Sequence, residues 1–172
     1  MDSVEIVTAG PDWMRAVAEL RWHWAEEVHG PPPMALDEFV NRFTTWAAEH
    51  VDSHRCAVAV RDGRAVGMAW LAVLPRVPHP LAFERTSADV QCVYVVPEER
   101  SGGIGGRLID AVLAKATEIA AERVTVHSST RAVAAYRRHG FAVSPVLLQA
   151  VPGVPGNEGR SVRREAGGPD LG

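Results

Sequence analysis

The chain has 172 residues, of which 47% are hydrophobic and 23% are charged, and its formal net charge is −3. This composition is typical of one globular domain, which at this size buries roughly 70% of its unfolded surface and needs neither disulfides nor a structural metal. Charged residues of both signs are dispersed along the chain, so we expect no binding to nucleic acid or to anionic membranes.

The first residues show no basic stretch followed by an apolar one, so we expect no secretion signal, and no apolar stretch reaches the ~20 residues that span a bilayer. Two cysteines, Cys56 and Cys92, lie in apolar, strand-like sequence rather than at the regular spacing of a disulfide framework. We interpret both as small buried hydrophobic side chains in a reducing compartment, and we expect a cytoplasmic protein.

Strand and helix signals alternate in the first half of the chain. Residues 4–8 predict a short strand, and apolar residues that recur every three or four positions from Trp13 to Val28 predict an amphipathic helix. Three consecutive prolines end that helix, and a second helix is predicted from Leu36 to Glu49. Two apolar runs flanking Asp62-Gly63 then predict an antiparallel hairpin, because this dipeptide favours the positive φ angles of a tight turn.

The second half begins with a loop over residues 75–87, and loops of this length in a compact domain are often functional. A strand from Asp89 to Val96 leads into a glycine-rich turn, which opens a helix ending near Ile119, and residues 124–127 return to strand. A short helix through His139 and one or two final strands within residues 141–151 complete the prediction.

The order of these elements favours an α+β domain over residues 1–151 rather than a doubly wound sheet. Residues 152–172 are rich in glycine and proline and contain almost no apolar residues. They predict a flexible C-terminal tail.

Four glycines lie within five residues at the start of the central helix, at positions 102, 103, 105 and 106. Such a turn directs free backbone N–H groups and the positive end of a helix dipole at one spot, which suits a phosphate or pyrophosphate. A nucleotide-hydrolysing loop is disfavoured, because Arg107 and Leu108 follow the last glycine where a Lys-Ser/Thr pair is required. A dinucleotide-binding fingerprint is disfavoured too, because Leu108 occupies its third glycine position.

Two spaced signatures carry a family resemblance. The hexad Arg100-Ser101-Gly102-Gly103-Ile104-Gly105 follows a strand that ends in Val95-Val96-Pro97, and the run 129–141 places Ala132, Tyr136 and Gly140-Phe141 downstream. In this order and spacing the chain resembles the GCN5-related N-acetyltransferase (GNAT) family. The resemblance covers all but the tail, and it departs from the family pattern at Ser129, where asparagine is usual.

The resemblance implies a mixed, mostly antiparallel central sheet flanked by helices, with acetyl-CoA bound in a cleft where two strands splay apart. It implies that the pantetheine arm pairs with the backbone of the strand before the glycine turn and that the pyrophosphate lies on the turn itself. The implied cofactor-binding residues are Val93, Val95, Arg100, Ser101, Gly102, Gly103, Gly105, Gly106 and Ser129.

Acetyl transfer to an amine requires a proton to leave, because a lysine-like amine with a pKa of about 10.4 is mostly protonated at neutral pH. The family often places a catalytic glutamate at the position of Asp89, which makes Asp89 the first candidate base and Glu84 an alternative. Tyr136 matches the tyrosine that in many relatives donates to the leaving sulfur. Simpler interpretations stand beside both: a solvated strand start for Asp89, and helical core packing for Tyr136.

No metal site is expected. His50, His54 and Cys56 are close in sequence, but the histidines straddle a predicted helix end and a structural zinc site normally has four ligands.

We therefore expect an N-acetyltransferase that moves acetyl from acetyl-CoA to a primary amine of a small molecule or peptide by direct attack. The alternative is a non-catalytic acyl-CoA-binding sensor or assembly module. Acidic residues near the expected cleft favour a cationic acceptor, aromatic residues of the two early helices flank it, and relatives that are commonly dimers suggest a homodimer. Because a fold does not determine its acceptor, the acceptor itself stays open.

Overall fold

A single five-stranded sheet with helices on both faces makes up the protein in a computed structural model that describes residues 3–153. The elements, in chain order, are β1 (Glu5–Thr8), α1 (Met14–His29), α2 (Leu36–Glu49), β2 (His54–Arg61), β3 (Arg64–Pro75), β4 (Thr86–Val95), α3 (Ile104–Glu118), β5 (Val124–Val126) and α4 (Val133–Arg138).

The strands lie in sequence order across the sheet. Strands β1 to β4 are antiparallel neighbours, and β5 joins β4 in parallel after the α3 crossover. This arrangement confirms the predicted α+β class and the mostly antiparallel sheet. The β2–β3 hairpin turns at Asp62 and Gly63, whose φ angles of 51° and 74° are those that a tight hairpin turn requires.

Each face of the sheet buries its own apolar cluster. Helix α3 supplies Leu108, Ile109 and Val112 to one cluster, and these side chains pack on the inward residues of β2, β3 and β4. Helices α1 and α2 cover the other face, where Val17 and Leu20 pack on Trp70 and its neighbours. Burial of aliphatic side chains at a stabilisation of roughly 25 cal/mol per Å² holds both layers on the sheet.

A bulge interrupts β4 next to the middle of the sheet. Trp70 pairs with Cys92 but the next residue, Leu71, pairs with Val90, so Gln91 is the extra residue. Val90 and Val93 therefore both point into the cluster under α3, although they are three residues apart. Cys92 points to the opposite face, under α1 and α2.

A gap opens between β4 and β5 directly after this bulge. Strand β5 pairs with only three residues of β4, the last pair being Val90 with Val126. Within residues 3–153, no strand pairs with β4 on this side from Gln91 to Val95, so the backbone of that segment faces the gap. Such a separation of two parallel strands is the cleft that the family resemblance implies.

Two parts of the chain differ from the sequence prediction. Residues 142–151 form no strand: Pro145 has no N–H to give to a ladder, and Val143, Val146 and Leu148 are at least 75% exposed. The loop after β3 is shorter than predicted, because the β3–β4 ladder extends to the pair Pro75–Thr86.

The predicted tail lies, from residue 154 onward, outside the residues that the structure describes. In the described part of the chain, no helix combines the length and the apolar character needed to cross a bilayer.

A substitution at Gly67 of β3 tests how closely the sheet packs under α3. A Cβ at this position would lie 2.9 Å from the Tyr94 carbonyl oxygen and 3.1 Å from a Leu108 methyl carbon. We expect Gly67→Ala to destabilise the fold by about 1–3 kcal/mol in urea unfolding, because neither neighbour can move without disturbing the core. Gly10→Ala is the control, since nothing lies within 4 Å of its added Cβ. Equal stability of the two variants would contradict this packing.

Candidate active site

The glycine turn leaves the start of α3 open. Gly103 precedes the helix in the left-handed conformation, with φ of 76°, and no side chain caps the first turn. The first N–H groups of a helix have no acceptor within the helix, so here they remain available to a ligand. A Cβ added at Gly103 would meet no atom within 4 Å, and one at Gly102 only the Glu99 carbonyl oxygen at 3.8 Å. The geometry fits an anion such as a diphosphate.

Gly106 lies where the side chain of His139 from the segment after α4 approaches α3. A Cβ at this position would lie 2.7 Å from Nε2 of His139, whose Nδ1 is 2.6 Å from Oδ1 of Asp110. The absent side chain of Gly106 therefore lets α4 approach α3, while its N–H still belongs to the first turn of α3. Gly105 is buried in the same turn.

The Arg100 side chain anchors the turn to the rest of the protein rather than extending into open space. Its two terminal nitrogens each lie 2.8 Å from a carboxylate oxygen of Glu27 on α1, and its Nε donates to the Val95 carbonyl at 3.0 Å. The Tyr94 hydroxyl adds a third bond to Glu27, at 3.2 Å. These contacts fix the glycine turn relative to both α1 and the end of β4.

Electrostatic shifts in this network follow from the same contacts. The hydrogen bonds from Arg100 hold the pKa of Glu27 below its ordinary value despite partial burial. Burial, followed by the negative charge of Glu27, raises the pKa of Tyr94 to about 12. Glu27 is therefore an anion and Tyr94 a neutral donor at neutral pH.

Val93 and Val95 lie on the strand that borders the gap. Their side chains are buried against α3, so only their backbone groups are available to a ligand. This placement agrees with a role in which main-chain atoms, not side chains, pair with an extended ligand arm.

Asp89 lies at the other end of the gap, where β4 still pairs with β5. Its Oδ1 accepts a bond from the Thr125 hydroxyl at 2.6 Å, across the parallel pair Asp89–Thr125. Because Ala88 and Val90 point into the cluster under α3, Asp89 points to the α1 and α2 face. Glu84 is exposed in the loop before β4.

Tyr136 is buried at 6% exposure, with its ring edge-on to Phe141 at a centroid distance of 5.2 Å. No residue in the described range forms a hydrogen bond with its hydroxyl. Burial, with a smaller contribution from the nearby Cys92 thiol, raises its pKa well above the ordinary value. The phenol is therefore a neutral donor close to the bulge in β4.

The Ser129 side chain has a structural role in the turn before α4. Its Oγ accepts the Ala132 N–H at 3.2 Å, which stabilises the turn before α4. This contact explains why a small hydroxyl residue suits the position, and it keeps Ser129 near the end of β5.

Several groups near the bulge were not predicted to be functional. Arg21 of α1 donates to the Cys92 sulfur at 3.4 Å. The ring of His54, at the start of β2, bonds to Ser53 at 2.9 Å and to the exposed Gln91 side chain, and burial lowers its pKa below 6.5. These groups come from distant parts of the chain and meet only in the folded protein. The spacing of the residues in the sequence therefore does not predict that they lie together.

Aromatic side chains of α2 pack on one another and on Trp70 of β3. Phe43 and Trp46 each lie 5.8 Å from Trp70 in ring-centroid distance, and Trp46 stacks on His50 at 4.6 Å. Among the residues with described positions, no group of three or more His, Cys, Asp and Glu side chains is arranged to hold a metal ion.

A sequence model for the acetyltransferase (GNAT) family matches residues 14–141, which is well over half of the chain. The chain therefore belongs to the GNAT family of acetyltransferases, as its sequence signatures imply. Family membership makes it an acetyltransferase and supports acetyl-CoA as its acetyl donor.

Solved structures share the fold at low sequence identity. A GCN5-related N-acetyltransferase from Ralstonia eutropha JMP134 is 22% identical, with a TM-score of 0.67 over 88% of this chain and 100% of that one. A predicted acetyltransferase from Clostridium acetobutylicum, solved with acetyl-CoA, is 14% identical, with a TM-score of 0.71 over 87% and 96%. A ribosomal-protein-alanine N-acetyltransferase from Brucella melitensis is 18% identical, with a TM-score of 0.66 over 87% and 99%. A search of curated protein sequences finds no significant match.

The open turn is testable by placing a negative charge in it. We expect Gly103→Asp to weaken acetyl-CoA binding on the order of tenfold or more in calorimetric titration, because like charges brought together cost several kcal/mol. Gly63→Asp is a matched control, since Gly63 has nearly the same positive φ and the same open surroundings in the distant hairpin. Equal affinity of the two variants would rule out an anion site at this turn.

Loss of the Glu27 charge should loosen the same turn. We expect Glu27→Gln to lower the free energy of unfolding by about 1–2 kcal/mol at pH 7, because its bonds to Arg100 are charge-assisted, and to weaken acetyl-CoA binding.

The sign of the pH dependence follows from the lowered pKa of Glu27. Its contribution is present above the ordinary value of 4.5 and is lost as the pH falls through the folded-state value, so the two proteins should converge in stability at low pH. Chemical denaturation from pH 3 to 8 measures this difference, and a gap that stays constant over that range would contradict the assignment.

Proposed function

We propose that the chain transfers acetyl from acetyl-CoA to a primary amine by direct attack, with Tyr136 and Asp89 as its catalytic residues. One observation carries the proposal: the gap beside β4 is bordered at one end by an uncapped helix start and at the other by a buried phenol and a carboxylate. An anchored thioester in this gap would meet an amine that enters from the α1 and α2 face.

The pyrophosphate would lie against the main-chain N–H groups from Arg100 to Gly106. The extended arm would follow the free edge of β4, where Val93 and Val95 present backbone groups. A main-chain N–H at this edge, that of Val93 by family position, would stabilise the negative charge on the carbonyl oxygen in the tetrahedral intermediate.

In the transfer itself, the amine nitrogen forms a bond to the thioester carbon and the carbon–sulfur bond breaks. The proton that the amine loses passes to Asp89, directly or through water. The carboxylate is held for this by Thr125 at 2.6 Å, on the face from which the acceptor enters.

Tyr136 would stabilise the departing thiolate. A phenol whose pKa is raised by burial is a poor acid, so complete proton transfer to a thiolate is unfavourable. A hydrogen bond from the neutral hydroxyl supplies stabilisation without that transfer. The absence of any bond to this hydroxyl within residues 3–153 leaves it ready for such a partner.

A thiol-release assay over a panel of amines tests these roles. We expect Tyr136→Phe to lower kcat about 10- to 100-fold without changing acetyl-CoA affinity, and Asp89→Asn to lower kcat/KM on the order of 100-fold. Both changes keep side-chain volume, so stability should change little. Asp62→Asn in the β2–β3 turn is the control for the loss of a carboxylate.

The same assay separates an enzyme from a sensor of acyl-CoA. A sensor would bind acetyl-CoA tightly and release no thiol with any amine. The Tyr136→Phe variant would then show the same rate of thiol release as the wild-type protein. That combination of results would refute the catalytic roles assigned here.

A further inference from the structure

We propose that Arg21 binds an anionic group of the acceptor, so that the preferred substrate is an amine that also bears a carboxylate. The inference rests on the proposed N-acetyltransferase function and adds to it the chemical class of the substrate.

Arg21 is held beside the bulge of β4 from two sides. Its guanidinium carbon lies 3.9 Å from the centroid of the Trp24 ring, and one terminal nitrogen donates to Sγ of Cys92 at 3.4 Å. Stacking on an aromatic face fixes the plane of a guanidinium and leaves its outward N–H groups free to bond. The side chain is therefore preorganised, at the point where Gln91 leaves the sheet ladder.

The surroundings of Arg21 supply no anion. A thiol is a weak hydrogen-bond acceptor, whereas a guanidinium carries five N–H donors. None of the ion pairs formed among residues 3–153 includes Arg21, although Arg100, Arg76 and Arg85 each have a carboxylate partner. Partial burial of a cation without a counterion has an unfavourable desolvation free energy, and an ion pair with an incoming carboxylate would offset it.

Two carboxylates of this side of the sheet, those of Glu27 and Asp89, already have hydrogen-bond partners. Glu27 is bound by Arg100 and Tyr94, and the Asp89 carboxylate accepts from Thr125. His54, the histidine beside Gln91, is uncharged at neutral pH because burial lowers its pKa. Among the described residues, Arg21 is thus a cation on this face without an ion-pair partner, which favours an anionic substituent over the cationic acceptor that the sequence suggested.

Arg21 also lies close enough to the reacting groups to orient a substrate. It contacts Cys92, which follows directly on the bulge where β4 loses its β5 partner. An amine whose carboxylate bonds to Arg21 would therefore be held by one end near the gap, while its nitrogen is free to reach the thioester. Such two-point binding lowers the entropic cost of attack.

Matched acceptors test the proposal without altering the protein. The panel consists of ω-amino acids and their carboxamides, because an amine several carbons away from the carboxyl group keeps nearly the same pKa in both members of a pair. The value of kcat/KM is measured for each pair by thiol release. We expect the wild-type protein to prefer the carboxylates by about tenfold or more, because a hydrogen-bonded ion pair is formed only with them.

Two variants then assign the preference to Arg21. Arg21→Gln should abolish most of it by lowering kcat/KM for the carboxylates alone, and Arg21→Lys, which keeps the charge, should retain part of it. Arg15→Gln is the control on the same helix, since the Arg15 side chain is 63% exposed and pairs with Glu19 and Asp37. Thermal unfolding of each variant confirms that it is folded.

The outcomes distinguish this inference from the function on which it rests. Equal kcat/KM for carboxylate and carboxamide, or a preference that survives in Arg21→Gln, would overturn the inference and leave the acetyltransferase proposal intact. Binding of acetyl-CoA with no acetylation of any amine would overturn both.

Discussion

The rest of this structure depends on the unsatisfied main-chain N–H groups at the start of α3. Gly103 begins the helix in a conformation that brings no capping side chain, so the first turn is left without an acceptor. The turn is nevertheless rigid, because Arg100 ties it to Glu27 and to the end of β4. An open helix start held in place in this way is complementary to an anion, and in the function proposed here it would hold the pyrophosphate of the acetyl donor.

The bulge at Gln91 is the second constraint, because it determines which side chains of β4 point to each face of the sheet. Before and after the bulge, valine side chains point under α3 and support the strand that borders the gap. On the other face, Asp89 and Cys92 lie toward α1, where Arg21 adds a positive charge. In the function proposed here, donor and acceptor would therefore approach β4 from opposite sides and meet only at the thioester.

Local signals in the sequence predicted most of the scaffold. The bounds of α2, the Asp62-Gly63 turn and the glycine turn before α3 all follow from periodicity and residue chemistry acting over a few positions. The final strands were predicted wrongly, because an apolar run does not supply a neighbouring strand and Pro145 has no N–H to donate to one. The partner of Arg100 and the placement of Arg21 were beyond prediction, since each depends on residues about 70 positions apart that meet only in the folded protein. The bulge was beyond prediction too, because it depends on the register between β3 and β4.

Backbone amide chemical shifts measured while CoA is added test the central claim most directly. We expect the largest changes in a nitrogen–proton NMR spectrum to fall on the amides of Ser101 to Gly106, with downfield proton shifts typical of bonds to phosphate. Gly63, a glycine of similar backbone conformation in the distant hairpin, should not move. Shifts concentrated elsewhere, with the amides at the start of α3 unchanged at saturating CoA, would contradict it.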